Sequence, residues 1–304
     1  MPFTGELIAL ATVLCWTVSV QFFEAASRQV GATPVNIIRL MTALVLFSLF
    51  MAIRHGTLMP LDFPARAWLY LGLSGVVGFF LGDIFLFKAL VAIGPRVAML
   101  IFSLSAPMAA LIEWMFLDQS YDILQWTGIV VTLFGVCIVI IERKPKMTVP
   151  SSRQTRTLSL AGILFGFGAM TGQAVGYVLS KVGMQSADGY LDAFGATQIR
   201  ALSAFFCFFI LFTFTGKWAS VHTALKHTRA VVYTVAGSVI GPFLGVSLSL
   251  WVLHFLSAGV ASTFLSLVPV FIIPFSIFIH KEYVSLRGMA GAVIAVFGIY
   301  LLMN

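Results

Sequence analysis

Eight charged residues lie inside otherwise apolar stretches of this 304-residue sequence: Glu6, Glu24, Arg39, Asp83, Lys88, Glu113, Lys181 and Arg200. An unpaired charge at the centre of a bilayer costs about 2.5–3.5 kcal/mol even on the mildest scale, so each invites a chemical explanation. Asp83 and Glu24 carry the carboxyl groups suited to taking up and releasing a proton. Asp83 serves equally well as a structural partner for Lys88 or Arg39. Thr17, Gln21, Glu24 and Arg28 recur at helical spacing on one face. That stripe reads either as a cavity wall or as an interfacial Glu24–Arg28 ion pair. Gln173 and Tyr177, one turn apart, are uncharged groups able to orient a small molecule. Glu113 shares a face with Ser103, Ala106 and Ala110, which suits a position near the mouth of a cavity. Trp16 fits the wall of an amphipathic cavity, and Arg39 and Arg200 fit helix ends, where a guanidinium binds carbonyls.

Covalent chemistry finds little support. Neither H-E-x-x-H nor G-x-S-x-G occurs, and the phosphate-cradling G-x-x-x-x-G-K-[ST] is absent. Phe80-Leu81-Gly82-Asp83 falls one glycine short of the G-x-G-D of aspartyl intramembrane proteases, and a single aspartate leaves that dyad without its partner. Cys15, Cys137 and Cys207 sit in apolar runs at no zinc-binding spacing, where cysteine serves as a small apolar side chain. No cofactor and no metal are expected.

The elements that must position these groups follow from composition. Hydrophobic residues make up 60%, mean hydropathy is +1.02, and 10% of residues are charged, against about 25% in soluble domains. Such a chain cannot cover a water-exposed surface, and a disordered or nucleic-acid-binding protein is excluded with it. A membrane span needs about 20 apolar residues. Ten runs qualify: 5–26, 34–53, 67–91, 95–117, 123–141, 158–181, 190–215, 230–254, 258–279 and 284–303. The expected fold is an all-α integral membrane protein, with membrane lipid as its surroundings and no nucleic-acid partner. Residues 142–157 form the long polar connection, a basic linker between residues 1–141 and 158–304.

The two halves repeat. A shift of 163 residues lays Gly78-Phe79-Phe80-Leu81-Gly82 on Gly241-Pro242-Phe243-Leu244-Gly245, Ser103-Leu104 on Ser266-Leu267, and Phe134-Gly135 on Phe297-Gly298. Near the start of each half the shift is 161, matching Arg39 to Arg200. Five helices per half is an odd number, so the second copy enters the membrane upside down. Inverted repeats are a construction principle of secondary transporters, whose sites lie near the midplane where helices are interrupted. Pro107 and Pro269, in the fourth run of each half, read as such interruptions or as plain kinks. Gly75, Gly78 and Gly82, their mates Ser238, Gly241 and Gly245, and the stripe Gly162, Gly166, Ala169, Gly172 and Gly176 read as seams where helix backbones approach closely.

Loops on the linker side hold twelve cations: Arg28, Arg96, Arg143, Lys144, Lys146, Arg153, Arg156, Lys217, Lys226, Arg229, Lys281 and Arg287. The side bearing both termini holds Arg54 and Arg66. The positive-inside rule puts the linker in the cytoplasm.

Trp16 midway along the first run, Arg39 and Arg200 near the starts of the second runs, Ser103-x-x-x-Pro107 and Ser266-x-x-Pro269, and the exits at Gln119 and Glu282 resemble the drug/metabolite transporter superfamily, specifically its EamA-like ten-helix members. The likeness spans nearly the whole chain, although Gln119 stands where an acid is common and Gln173 stands near the position of a second tryptophan. It implies two inverted five-helix repeats, a small-molecule substrate, a multi-pass plasma-membrane (bacterial inner-membrane) location, and a monomer or homodimer. An alternating-access carrier, a passive channel and, more remotely, an intramembrane enzyme are the classes left in competition.

Overall fold

Inside lipid every backbone N–H and C=O must be bonded within the protein, and apolar runs meet that demand by becoming helices. The structure, a computed structural model, describes residues 3–142, 159–187, 189–272 and 286–303. Among these, nine helices are long and apolar enough to span a membrane, and Ala258–Ile272 is a shorter apolar helix. Among the described residues the regular structure is helical except for a two-stranded antiparallel ladder. Residues 143–157 of the basic linker, Pro274, Lys281 and Glu282 lie outside the described residues.

In chain order the helices are α1 (Thr4–Val30), α2 (Ala32–His55), α3 (Ala65–Ser74), a π-helical segment π1 (Gly75–Leu81), α4 (Gly82–Ser103), α5 (Ser105–Phe116), α6 (Ile123–Glu142) and α7 (Leu160–Met184). After the strands Gln185–Ser186 and Gly189–Tyr190 come α8 (Ala193–Thr215), α9 (Trp218–Leu225), α10 (Thr228–Ser238), a second π-helical segment π2 (Val239–Gly245), α11 (Val246–Val252), α12 (Ala258–Leu265) and α13 (Leu286–Met303). Local chemistry sets several ends. Gly31 alone separates α1 from α2, with φ at 86°, a conformation strained for any residue with a Cβ. The Asp192 side chain accepts the Gly195 N–H at 2.8 Å and starts α8, and the Ser257 side chain starts α12 through the Val260 N–H.

Both interruptions are doubled. The π segments occupy equivalent places in the two repeats, and so do two later breaks. At the first break, Leu104 stands between α4 and α5; at the second, α12 stops before Ser266–Leu267 and helix resumes at 268. The hydroxyls of Ser103 and Ser266 each donate to the carbonyl three residues back, Leu100 at 2.8 Å and Thr263 at 2.6 Å. These breaks correct the expectation for the prolines. Pro107 and Pro269 do not sever a continuous ladder; each sits in the first turn of the helix after the break, where no N–H is required of it. The helix boundary expected between 91 and 95 is also revised, because helical backbone continues through Gly94-Pro95, with the spans Ala65–Ala89 and Ala98–Phe116 on either side.

The chain forms two compact units, each drawn from both sequence halves. The first comprises 1–80 and 175–256. Its helices α1 and α10, α2 and α8, and α3 and α8 lie against one another. Its interior is aromatic: Phe50 stacks on Phe194 at 4.4 Å, and Phe47 meets Phe243, a π2 residue, at 5.1 Å. The second unit comprises 81–174 and 257–304, and is dominated by α13 running along α6. Its seam is made of glycines: a Cβ on Gly135 would lie 2.3 Å from the Ala295 nitrogen, and one on Gly298 would lie 2.3 Å from the Thr132 nitrogen. The packing reading of the glycine stripes thus describes what they do. Gly166 lies against Ile101 in this unit, while Gly176 lies against Gly78 and Gly245 against Trp16 in the first.

Candidate functional site

In the first unit, polar groups gather around π1. Ser74, the last residue of α3, is wholly buried, and its hydroxyl lies 2.6 Å from the Gly176 carbonyl and 2.7 Å from the Ser180 hydroxyl. Ser180 reaches the same carbonyl at 2.7 Å. Two hydroxyls on one carbonyl bolt α7 to the start of π1. One turn away, Tyr177 is buried and its hydroxyl donates to the Ser249 carbonyl at 2.5 Å, joining α7 to α11. Tyr177, expected to orient a small molecule, therefore contributes a helix-to-helix bond in this state, while Gln173, which belongs to the second unit, is half-buried.

Arg200 is only 2% exposed, on α8, with its guanidinium 4.3 Å from the centroid of the Phe79 ring within π1. Its Nε has no hydrogen-bond partner. The neighbouring Gln198 turns elsewhere and donates to the Leu58 carbonyl at 2.8 Å and to the Ser48 hydroxyl at 3.1 Å. Arg39, the repeat mate of Arg200, lies 5.7 Å from the Phe23 ring. The two arginines share a sequence position and take their aromatic faces from different helices. An Arg–aromatic contact is worth about 2 kcal/mol when desolvated, which offsets most of the roughly 2.5–3.5 kcal/mol cost of a charge in lipid. We therefore expect Arg200→Met to leave thermal unfolding in detergent nearly unchanged. Arg200→Glu, which sets an anion against the ring face, should lower the melting temperature clearly. A large loss in the Met variant would show that the guanidinium holds an acceptor essential to the fold.

The remaining residues of this unit are placed as follows. Trp16 is half-buried against Gly245, and Thr17 is buried with its hydroxyl on the Val13 carbonyl at 2.8 Å. Gln21 is half-buried. Glu24 accepts from Arg28 at 2.6 Å with both side chains largely exposed, which is the ion-pair alternative for the stripe.

In the second unit, Asp83 is half-buried in the first turn of α4. Lys88 stands 5.2 Å from the Phe165 ring centroid. Ser103 and Ser266 mark the two breaks, followed by half-buried Pro107 and Pro269. Glu113 was expected at a cavity mouth; it is instead completely enclosed. One carboxylate oxygen accepts from the Tyr121 hydroxyl at 2.5 Å and from the Gly259 backbone N–H at 2.9 Å. Burial first, and then the Glu113 charge, push the Tyr121 phenol far above its usual value. It therefore stays protonated and remains a donor.

Sequence reasoning missed Ser74, Ser180, Tyr121 and the part played by Phe79. Tyr121 carried the one available signal, a lone tyrosine in a short polar connection facing a buried acid. Nothing in the spacing pointed to the others, because their partners are backbone carbonyls or a ring face on a distant helix. No cluster of three or more His, Cys, Asp or Glu side chains suited to a metal occurs among the described residues.

Comparison with curated proteins finds no match. One solved protein crystal structure aligns with a TM-score of 0.70 and 15% identity, covering 99% of this chain and 96% of that one; at this identity the likeness is one of fold. The sequence also matches the description of the EamA-like transporter family over residues 3–141 and again over 160–304. The two matched stretches coincide with the two repeats and take in nearly all the residues described above, so the chain belongs to the EamA-like transporter family.

Proposed function

We propose that this protein is a secondary active carrier of the drug/metabolite transporter type, exporting small amphipathic metabolites by alternating access. Its ten spans are read as two inverted five-helix repeats in a bacterial inner membrane, with the basic linker 142–157 in the cytoplasm. The observation that carries the reading is the paired interruption. Each repeat holds a π-helical segment, at 75–81 and 239–245, and each follows it with a serine-bonded break, at 104 and at 266–267. Matching interruptions in inverted copies are what a two-sided switch requires, since whatever opens one side has its equivalent on the other. A passive channel has no need of that pairing.

Candidates for substrate contact in this reading are the half-buried Trp16 and Gln21 in the first unit and Gln173 and Asp83 in the second, with Asp83 as the candidate for proton coupling. Glu24, the other candidate, is held by Arg28 at an exposed position. The test uses proteoliposomes offered radiolabelled amino acids, nucleosides and a cationic dye in turn. Saturable counterflow of any of them supports the carrier; flux that rises linearly with concentration supports a channel and removes this reading. Asp83→Asn should abolish pH-driven uptake while sparing exchange, whereas Glu24→Gln should leave both within about twofold, as befits an exposed pair worth at most about 1 kcal/mol.

A further inference from the structure

Glu113 stands apart from every other acid described here. Its side chain has no exposed surface, and it lies one turn from the end of α5. Two groups that hold it come from separate places in the second unit, and a third side chain fixes one of them. The Tyr121 hydroxyl comes from the connection that follows α5, at 2.5 Å. The N–H of Gly259, at 2.9 Å, belongs to the first turn of α12, 146 residues away in sequence. Tyr121 itself is fixed against Trp126 of α6, ring to ring at 5.5 Å. Packing at this level leaves no slack, because a Cβ on Gly259 would lie 2.5 Å from the Ala110 Cβ and 2.7 Å from the Tyr121 hydroxyl. The free N–H groups and dipole at a helix start favour an anion, and here the anion is supplied from within the protein.

The repeat makes the arrangement informative. At the shift of 163 residues that matches the two copies, Glu113 falls on Ser276, flanked by Phe275 and Ile277. The carboxylate thus belongs to one copy. If inverted repeats open and close opposite ends of the same carrier, the end where α12 begins has a fastening whose acid the other copy does not encode.

We propose that Glu113, Tyr121 and the Gly259 N–H form a latch that holds α5 against the start of α12, and that opening this end of the carrier requires the latch to break. The inference rests on the alternating-access reading above. It makes Glu113 a positioning residue that acts on the conformational equilibrium, with no contact to substrate. The latch favours the state closed at this end, so the two half-cycles of transport have unequal barriers.

The test uses the full chain with its three native cysteines replaced by serine and one reporter cysteine, in proteoliposomes. Thr263→Cys reports on the latched end, since Thr263 is fully buried and its hydroxyl bonds the Gly259 carbonyl at 2.8 Å. Ser103→Cys, at the break ahead of α5, reports farther along the span that carries Glu113. The probe is a cationic methanethiosulfonate reagent. Glu113→Gln and Tyr121→Phe should each raise the labelling rate at position 263 by at least tenfold, as expected for about 1.4 kcal/mol removed from the closed state, and lower it at position 103. Tyr121→Phe removes a single oxygen and keeps the test open if Glu113→Gln folds poorly. Parallel increases at both positions with a lower melting temperature would reduce the contact to ordinary packing and overturn the latch. So would unchanged labelling at position 263 in folded variants. The counterflow assay on the parent protein separates the two ideas. Saturable counterflow with a failed labelling test retains the carrier and discards the latch, whereas linear flux in the parent discards the carrier itself.

Discussion

Replacing Gly135 or Gly298 with valine should cost this protein most of its folded yield. Each glycine lies where α6 and α13 touch backbone to backbone. A Cβ on Gly135 would sit 2.3 Å from the Ala295 nitrogen and 2.5 Å from the Gly291 carbonyl oxygen. At Gly298 the obstacles are the Thr132 nitrogen at 2.3 Å and its hydroxyl at 2.4 Å. A flexible side chain could rotate away from such a contact, but the backbone of a packed helix cannot. We expect a destabilisation at or above about 3 kcal/mol, the top of the usual overpacking range, or a fall of roughly 6–12 °C in melting temperature. Fluorescence-detected unfolding and size-exclusion profiles in detergent measure both effects. Gly166→Ala supplies the contrast. Its new Cβ would meet the outer methyl of Ile101 at 3.0 Å, a group that can turn aside, and the loss should stay below about 1 kcal/mol. If the valine variants melt with the parent, the seam is looser than described.

The second large effect is on transport. Gly75 opens π1, and a Cβ there would lie 2.2 Å from the Arg200 carbonyl oxygen, with the Arg200 Cα at 2.9 Å. Gly75→Ala must therefore push α8 outward, and that displacement carries Arg200 off the Phe79 ring. Counterflow should fall at least tenfold, equivalent to about 1.4 kcal/mol, alongside a lower melting temperature. Gly72→Ala makes the comparison fair, because one turn earlier the nearest obstacle is the Ser203 hydroxyl at 3.3 Å, and near-parent transport is expected. Equal transport by both variants would mean that the close approach at π1 has no part in the cycle.

Much of this architecture was legible in the sequence because membrane helices must be apolar and their seams must be small. Gly135 and Gly298 fall on each other in the repeat, and so do Ser103 and Ser266, although the sequence points to the prolines after these serines as the interruptions. The π segments escaped notice for a physical reason. A shift from i→i+4 to i→i+5 bonding leaves hydropathy and residue size unaltered, so Gly75–Leu81 reads as ordinary helix. Glu113 reads from the sequence as an acid within a span near a cavity mouth, and its enclosure is hidden because one of its partners is a backbone N–H with no side chain to betray it. Tyr177 illustrates the same limit: its hydroxyl ends on the Ser249 carbonyl, a group present at every position of every chain. Arg39 and Arg200 were paired correctly by the repeat, while Phe23 and Phe79 were not, since the copies have diverged in what surrounds the shared arginine.

The two π segments also have a bearing on how such a chain tolerates change in length. A π-helical stretch can be regarded as an α-helix that has absorbed an extra residue. Adding one residue to an ordinary helix turns everything beyond it by about 100° and advances it by about 1.5 Å, which would carry lipid-facing side chains into the seam. A π segment confines that mismatch to itself. Single-residue deletions should therefore be least harmful at 75–81 and 239–245 and damaging elsewhere in the same spans. In this chain one of the places most forgiving of a miscount, π1, is also one where helix backbones come very close, Gly75 against Arg200.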